Sequence, residues 1–306
     1  MNSIPILVIV NSAILFTMKK YVFIFILVCI PSGVFAATTP PLPTISAKGV
    51  AIYGWKDGVE EPTPIYVKNE HRLYPVASIT KLITAKAVQE LYPKDQIFTM
   101  SPSAIATEGS IKGMVVGSQF TRDDLLKALL IMSSNDAATA FMEAVGKSTF
   151  LAKMNDILHT NKYTATSFLN PSGLDPAKRV IGQSNRLTPY HLSELLSDIY
   201  TQDPLLVDIM NEPKADITDL AHDTTVEVRQ SNGLYLDDKY KDKVLMGKTG
   251  LTALAGQNLA FVTPGNQDYD YITIVILGSK NRMNDSKKIL DWIDTSNKLA
   301  SSTFGG

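Results

Sequence analysis

The chain contains one cysteine, Cys29, and it lies inside an apolar N-terminal run. Downstream of it no disulfide and no thiol nucleophile can be built. There are four histidines, His71, His159, His191 and His222, and no two stand at His-x-x-x-His spacing. No Cys-x-x-Cys occurs either, so the usual ligand patterns of metal hydrolases are missing and no metal or other cofactor is expected. Charge of one sign is also scarce. Lys and Arg total 29 against 30 Asp and Glu, a net charge of -1, and the pI is near 6.4. That balance gives no basic field for nucleic acid, so an anionic ligand must be held by a few placed cations. There is no Gly-x-Ser-x-Gly elbow, no dinucleotide fingerprint, no internal repeat and no low-complexity tract.

The 306 residues are 45% hydrophobic and 19% charged, the balance of a globular enzyme near the upper size for one core. The N-terminus reads as an export signal. Met18-Lys19-Lys20 gives a basic start, Tyr21 to Ile30 an apolar run, and Val34-Phe35-Ala36-Ala37 a small-residue cleavage site. Residues 1–36 are therefore assigned as the signal region, with Met18 as the expected true start and cleavage after Ala36. The apolar run is short for a membrane span. Val28 is bulky where a lipoprotein signal has a small residue, which argues against lipidation at Cys29. An exported, periplasmic or otherwise extracytoplasmic enzyme, soluble after cleavage and without a stable membrane anchor, is expected.

Residues 37–45, with Thr38-Thr39-Pro40-Pro41-Leu42-Pro43, read as an extended linker. Residues 46–296 form the expected catalytic domain and 297–306 a tail. Gly49–Trp55 and Ile65–Lys68 have strand character. From Ser78 to Leu91 the apolar spacing is helical, and Tyr92-Pro93 ends it. Helices are expected over 123–132, 135–146, 151–159 and 189–200, strands over 244–247, 259–263 and 271–278, and a closing helix over 285–299. Strands at both ends with helices between predict an α/β fold, a sheet layer plus an α-helical subdomain, with a site in the cleft between them.

Three short motifs carry the chemistry. In Ser78-Ile79-Thr80-Lys81 the Ser and Lys are one helical turn apart on one face. A serine hydroxyl needs a base, and a lysine can serve once burial or a nearby cation keeps it neutral. The helix start adds N–H groups that can hold an oxyanion. Alone the motif is weak, because about one Ser-x-x-Lys is expected by chance in a chain this long. Ser133-Ser134-Asn135 offers a hydroxyl, Ser133, to relay a proton, and an amide, Asn135, to bond both Lys81 and a substrate; a plain helix cap fits it too. Lys248-Thr249-Gly250 is sharper, with a chance expectation of about 0.1 per chain. It follows apolar Val244-Leu245-Met246, which puts a cation and a hydroxyl on a strand edge, where they can hold a carboxylate, and Gly250 permits close backbone approach.

In this order the motifs are those of penicillin-binding proteins and class A β-lactamases. The chain resembles the low-molecular-mass penicillin-binding proteins, the serine D-alanyl-D-alanine peptidases. The likeness extends through Pro75-Val76-Ala77-Ser78-Ile79-Thr80-Lys81-Leu82, Met132 to Ala138, Asn170-Pro171-Ser172-Gly173-Leu174, and Gly247 to Thr252 with Ala255-Gly256. It implies a transpeptidase-like antiparallel sheet flanked by helices. Ser78 would be acylated and Lys81 would be its base, while Ser133 and Asn135 would move protons and orient the peptide. Lys248 and Thr249 would bind a terminal carboxylate, Gly250, Leu251 and Thr252 would bind substrate along the same strand, and the N–H groups of Ser78 and Leu251 would form the oxyanion hole. The implied substrates are peptidoglycan peptides, with β-lactams as covalent inhibitors, and carboxypeptidase versus endopeptidase stays open. Two departures stand out. Ser134 replaces the glycine many relatives have, which could alter substrate fit. The chain also stops about ten residues after Ile293, where many relatives continue into a second domain and an amphipathic anchor, so a single-module, soluble enzyme is expected. A class A β-lactamase needs a deacylating Glu where this chain has Thr166 before Leu169-Asn170, so long-lived β-lactam adducts are expected. A non-catalytic β-lactam sensor would carry transmembrane signalling segments, and nothing after Ala37 reads as one.

Overall fold

A computed structural model describes residues 41–109, 111–163 and 167–303, with side chains to residue 297. The expected signal region with Met18, Cys29 and Ala36, the first linker residues, Thr166 and residues 304–306 lie outside the described residues.

The chain opens with the hairpin β1 (Gly49–Trp55) and β2 (Thr63–Lys68), then the short β3 (Tyr74–Pro75). A 3-10 turn, Ala77–Thr80, leads into α1 (Lys81–Leu91). The helix expected from Ser78 thus begins as a tighter turn, and Ala77 before it has φ of 50°. Tyr92 ends α1 in extended conformation, as a residue before proline must. Next come β4 (Ile97–Thr99), α2 (Pro102–Ile105), β5 (Gln119–Thr121) and α3 (Arg122–Lys127). The helix expected over 123–132 continues as a π turn, Ala128–Met132, which ends at Ser133 with φ of 68°. α4 (Asn135–Val145) and α5 (Lys147–Thr160) follow, then β6 (Arg186–Leu187), α6 (Pro189–Gln202) and α7 (Pro204–Asn211). Both α6 and α7 open with a capping side chain followed by proline: Thr188 accepts from the N–H of His191, and Asp203 from that of Leu206.

The hairpin β7 (Lys214–Asp219) and β8 (Thr224–Arg229) precedes the three long strands β9 (Met246–Thr252), β10 (Gly256–Pro264) and β11 (Tyr271–Ser279). α8 (Arg282–Thr303) closes the described chain and runs past residue 296, where the domain was expected to end. Neither α7 nor the β7–β8 hairpin was anticipated.

The main sheet is antiparallel in the order β2-β1-β11-β10-β9, so β9 is an edge. Its faces alternate as a two-residue period demands. Ile272, Ile274 and Ile276 of β11 join Ile289, Leu290, Trp292 and Ile293 of α8 in one core cluster. Val275 and Leu277 turn to the other face, where they share a larger cluster with Leu82 of α1, Leu125 of α3, Phe150 of α5 and Leu192 of α6. The three motifs meet where the free edge of this sheet touches the helical layer.

Candidate active site

Ser78 is pinned from two sides. Asn258 of β10 donates to the Pro75 carbonyl at 2.9 Å, and the Val76 N–H donates to the Asn185 carbonyl at 3.0 Å. Gly250 of β9 presses against this turn: a Cβ there would lie 2.6 Å from the Val76 oxygen and 3.3 Å from the Ser78 nitrogen. The close approach that Gly250 permits is therefore to the protein's own nucleophile turn, where a substrate backbone had been expected.

Lys81 is fully buried. Its Nζ lies 2.9 Å from Ser78 Oγ, 2.7 Å from Asn135 Oδ1 and 3.0 Å from the Ser172 carbonyl. Burial, and then the charge of Lys248, hold its ammonium well below the usual lysine range. A neutral amine has two hydrogens and one lone pair. With the Asn135 and Ser172 oxygens accepting the hydrogens, the lone pair faces the Ser78 hydroxyl, the geometry required of a general base.

The Ser172 carbonyl had not been foreseen as a partner. Its loop is wedged beneath α1. Asn185 donates to the Asn170 carbonyl at 2.8 Å and to Thr80 Oγ1 at 3.1 Å, while Thr84 donates to the Pro171 carbonyl at 2.6 Å. Gly173 has φ of 80°, and a Cβ on it would fall 1.9 Å from the Ala77 oxygen, so only glycine fits.

In the second motif the three side chains divide the work. Asn135 accepts from Lys81 and gives one amide hydrogen to the Glu108 carbonyl at 2.6 Å. Ser134 is buried and caps α4 by accepting from the Ala137 N–H at 3.0 Å. Its side chain is thus committed to the helix start, and the effect on substrate fit expected of it has no basis in this geometry. Ser133, half-buried at the left-handed corner, has no side-chain hydrogen bond among the described residues, to Lys81 or to any other group.

Lys248 is 1% exposed and its nearest acceptor is the Thr249 carbonyl, at 3.4 Å. Burial, and then the charge of Arg282, lower its pKa to about 7. Arg282, at the start of α8, donates to the Gly250 carbonyl at 3.0 Å and is itself lowered by burial. Among the described residues no carboxylate forms a salt bridge with Lys81, Lys248 or Arg282. Thr249 Oγ1 lies 2.9 Å from Ser231 Oγ, and the Ser231 N–H is fixed on the Ile131 carbonyl at 2.9 Å. Leu251 is 61% exposed on the edge strand. Thr252 turns its hydroxyl to the Ala255 N–H at 3.1 Å and so holds the β9–β10 turn.

The structure therefore gathers Ser78, Lys81, Asn135, Lys248, Thr249 and Gly250 at one cleft, with Leu251 and Thr252 along its rim and Ser133 at its corner. Sequence reasoning missed Ser172, Ser231, Asn185 and Arg282. Ser172 was within a quoted family block but acts through its carbonyl. Arg282 had no local signal at all.

A serine beside a buried amine, with a second buried cation that has no carboxylate partner among the described residues, is an arrangement suited to serine acyl transfer on a carboxylate-bearing substrate. The sequence profile of the family described as D-alanyl-D-alanine carboxypeptidase matches residues 56–281, and the chain belongs to that family, the low-molecular-mass serine penicillin-binding enzymes. It is 28% identical over 239 residues to a D-alanyl-D-alanine endopeptidase of Pseudomonas aeruginosa, covering 76% of this chain and 73% of the relative. To the D-alanyl-D-alanine carboxypeptidase DacC of Escherichia coli it is 27% identical over 286 residues, covering 88% of this chain and 66% of the relative. A penicillin-binding protein of Listeria monocytogenes, solved with ampicillin bound, superposes with a TM-score of 0.66 at 23% identity, over 84% of this chain and 99% of that one. At that identity the likeness shows the fold, which is the transpeptidase-like α/β architecture.

Proposed function

We propose that this serine peptidase is a D-Ala-D-Ala carboxypeptidase acting on peptidoglycan stem peptides through an ester at Ser78. The observation that carries the reading is the 2.9 Å contact between Lys81 Nζ and Ser78 Oγ, made by an amine whose pKa burial lowers well below the usual lysine range. Lys81 takes the hydroxyl proton as Oγ bonds to the carbonyl carbon of the penultimate D-alanine. The N–H groups of Ser78 and Leu251 hold the oxyanion. Collapse breaks the C–N bond, and the proton passes from Lys81 to the leaving amine. Ser133, with no partner of its own among the described residues, is the hydroxyl left to carry it. Water then attacks the ester with Lys81 again as base, the C–O bond breaks, and Ser78 regains its proton. Lys248 and Thr249 hold the terminal carboxylate until the D-alanine that carries it departs.

The relative from P. aeruginosa named as an endopeptidase favours a second reading, cleavage of D-alanyl-diaminopimelate crosslinks. The leaving residue there also carries a free carboxylate next to its amine, so the same grip serves. Digestion of monomeric and crosslinked muropeptides separates the two. Loss of D-alanine from monomers supports the carboxypeptidase and conversion of dimers to monomers the endopeptidase; cleavage of neither, or cleavage that survives Ser78→Ala, defeats both.

A β-lactam meets the same nucleophile, and its leaving amine stays tethered after ring opening. With Thr166 where a class A β-lactamase has its deacylating Glu, the adduct is long-lived. Rapid turnover of a chromogenic cephalosporin by purified protein would contradict this. Export follows from the basic and apolar N-terminal pattern, and among the described residues no helix is long and apolar enough to cross a membrane. Mature protein whose N-terminus lies well before Ala37 would refute the cleavage point.

A further inference from the structure

Ser231 belongs to none of the three motifs, yet it joins two walls of the catalytic cleft. Its N–H donates to the Ile131 carbonyl at 2.9 Å, in the π turn that ends at Ser133. Its hydroxyl lies 2.9 Å from Thr249 Oγ1 on the edge strand β9. The residues on either side hold it there. Gln230 is buried, its N–H donates to the Pro213 carbonyl at 2.9 Å, and its Nε2 donates to the Met210 carbonyl at 3.0 Å. Asn232 is fully buried, and its Oδ1 accepts from the Leu234 N–H at 3.1 Å. With its own N–H and both neighbours fixed, the Ser231 side chain is held against the strand edge.

Two hydroxyls in contact share one hydrogen, and the direction matters. Each has one proton and two lone pairs. If Thr249 donates to Ser231, Thr249 has only lone pairs left to offer a ligand, and the Ser231 proton has no acceptor among the described residues. If Ser231 donates to Thr249, its proton is used and the Thr249 proton is free for whatever arrives beside Lys248. An anion there decides between the two directions, because it can only accept. Thr249 is buried, so a donor aimed at a charge is stronger there than in water, and a second hydroxyl donating into it strengthens it further.

We infer that Ser231 is a positioning residue: it donates to Thr249, makes that hydroxyl a donor toward a bound carboxylate, and so sets the preference for a charged C-terminus over an amidated one. It acts through Thr249 without touching the substrate. A neutral amide in the same place still accepts from Thr249, but through a weaker hydrogen bond, so the relay contributes less to its binding.

The inference rests on the peptidase reading, and one experiment separates the two. A pentapeptide ending in D-Ala-D-Ala, and the same peptide amidated at its C-terminus, are given to wild type, Ser231→Ala, Thr249→Val and the double variant, and release of the terminal residue is followed over a range of peptide concentrations. Ser231→Ala is expected to lose about tenfold in kcat/KM on the free acid, the size of one charge-assisted hydrogen bond, and no more than about threefold on the amide. The loss falls on KM with kcat kept, because the relay acts on bound substrate and transition state alike. In the Thr249→Val background Ser231→Ala has no further effect, since its acceptor is gone. Losses of equal size on acid and amide in Ser231→Ala, or full additivity in the double variant, overturn the relay and leave the peptidase intact. Wild type that cleaves acid and amide equally well overturns the carboxylate grip and the relay together. Failure of wild type to cleave either peptide overturns the peptidase reading itself.

Discussion

The cleft contains two buried lysines in opposite states of completion. Lys81 has three oxygen partners within 3.0 Å, two of which, Asn135 Oδ1 and the Ser172 carbonyl, accept its hydrogens. Among the described residues Lys248 has one, at 3.4 Å, and a cationic neighbour in Arg282. Each is stripped of water, which disfavours the charged form, but the consequences diverge. The saturated amine is fixed in place and left with a lone pair aimed at Ser78. The unsaturated one keeps its hydrogen-bonding capacity for something that arrives with a negative charge. Burial alone does not make a base or an anchor; the number of acceptors already in place decides which.

The largest effect should come from breaking the saturated side. Lys81→Met removes the base from Ser78, and kcat for D-alanine release is expected to fall on the order of 1000-fold, measured by single-turnover assay. A fall under tenfold would mean that another group takes the proton. Lys248→Met removes the anchor instead. It should cost roughly 10- to 100-fold in kcat/KM on peptides with a free C-terminal carboxylate and much less on a carboxyl-amidated analogue.

pH sharpens the contrast. On the proposed mechanism, activity in the free enzyme needs Lys81 neutral and Lys248 charged. The kcat/KM profile should therefore rise through the lowered pKa of Lys81 and decline as pH passes about 7, where Lys248 loses its proton. Lys248→Arg keeps the cation at all working pH and should abolish the alkaline decline. Persistence of that decline in Lys248→Arg would assign it elsewhere. In Arg282→Gln the repulsion is gone, and the decline should move to higher pH.

The smallest effect is on stability. The folded-state pKa of Lys248 is about 7 against an ordinary value of 10.5, so between those values the unfolded chain binds more protons and stability rises with pH. Below that window the buried ammonium opposes folding in full. Lys248→Met should raise Tm by a few degrees at pH 6, with the gain fading toward pH 10, in thermal melts across that range. Lys81→Met should show no such gain, because it leaves the Asn135 and Ser172 oxygens without their donor.

The same division separates what the sequence revealed from what it hid. Residues acting through their own side chains at fixed spacing were legible: Ser78 and Lys81 one turn apart, Lys248 and Thr249 after an apolar strand start. β11 was legible because Ile272, Ile274, Val275 and Ile276 are β-branched and buried on two faces. The β7–β8 hairpin was not, because β7 (Lys-Ala-Asp-Ile-Thr-Asp) carries a single large apolar residue and only Ile217 and Asp219 of it are buried. Ser172 contributes a backbone carbonyl, which any residue could supply, so no residue type marks it. Arg282 reaches Gly250 from 32 positions away across the sheet edge, a contact set by tertiary packing alone. Thr252 and Ser134 have structural hydrogen bonds that spacing did not disclose: their hydroxyls close a turn and cap a helix.

The most direct test of this account is the rate of covalent adduct formation with benzylpenicillin, followed by intact mass and peptide mapping in wild type, Lys81→Met and Lys248→Met. Labelling of wild type at Ser78, slower labelling of Lys248→Met that recovers at high reagent concentration, and next to none of Lys81→Met is the result expected. Labelling of Lys81→Met at the wild-type rate, or an adduct on any residue other than Ser78, would contradict it.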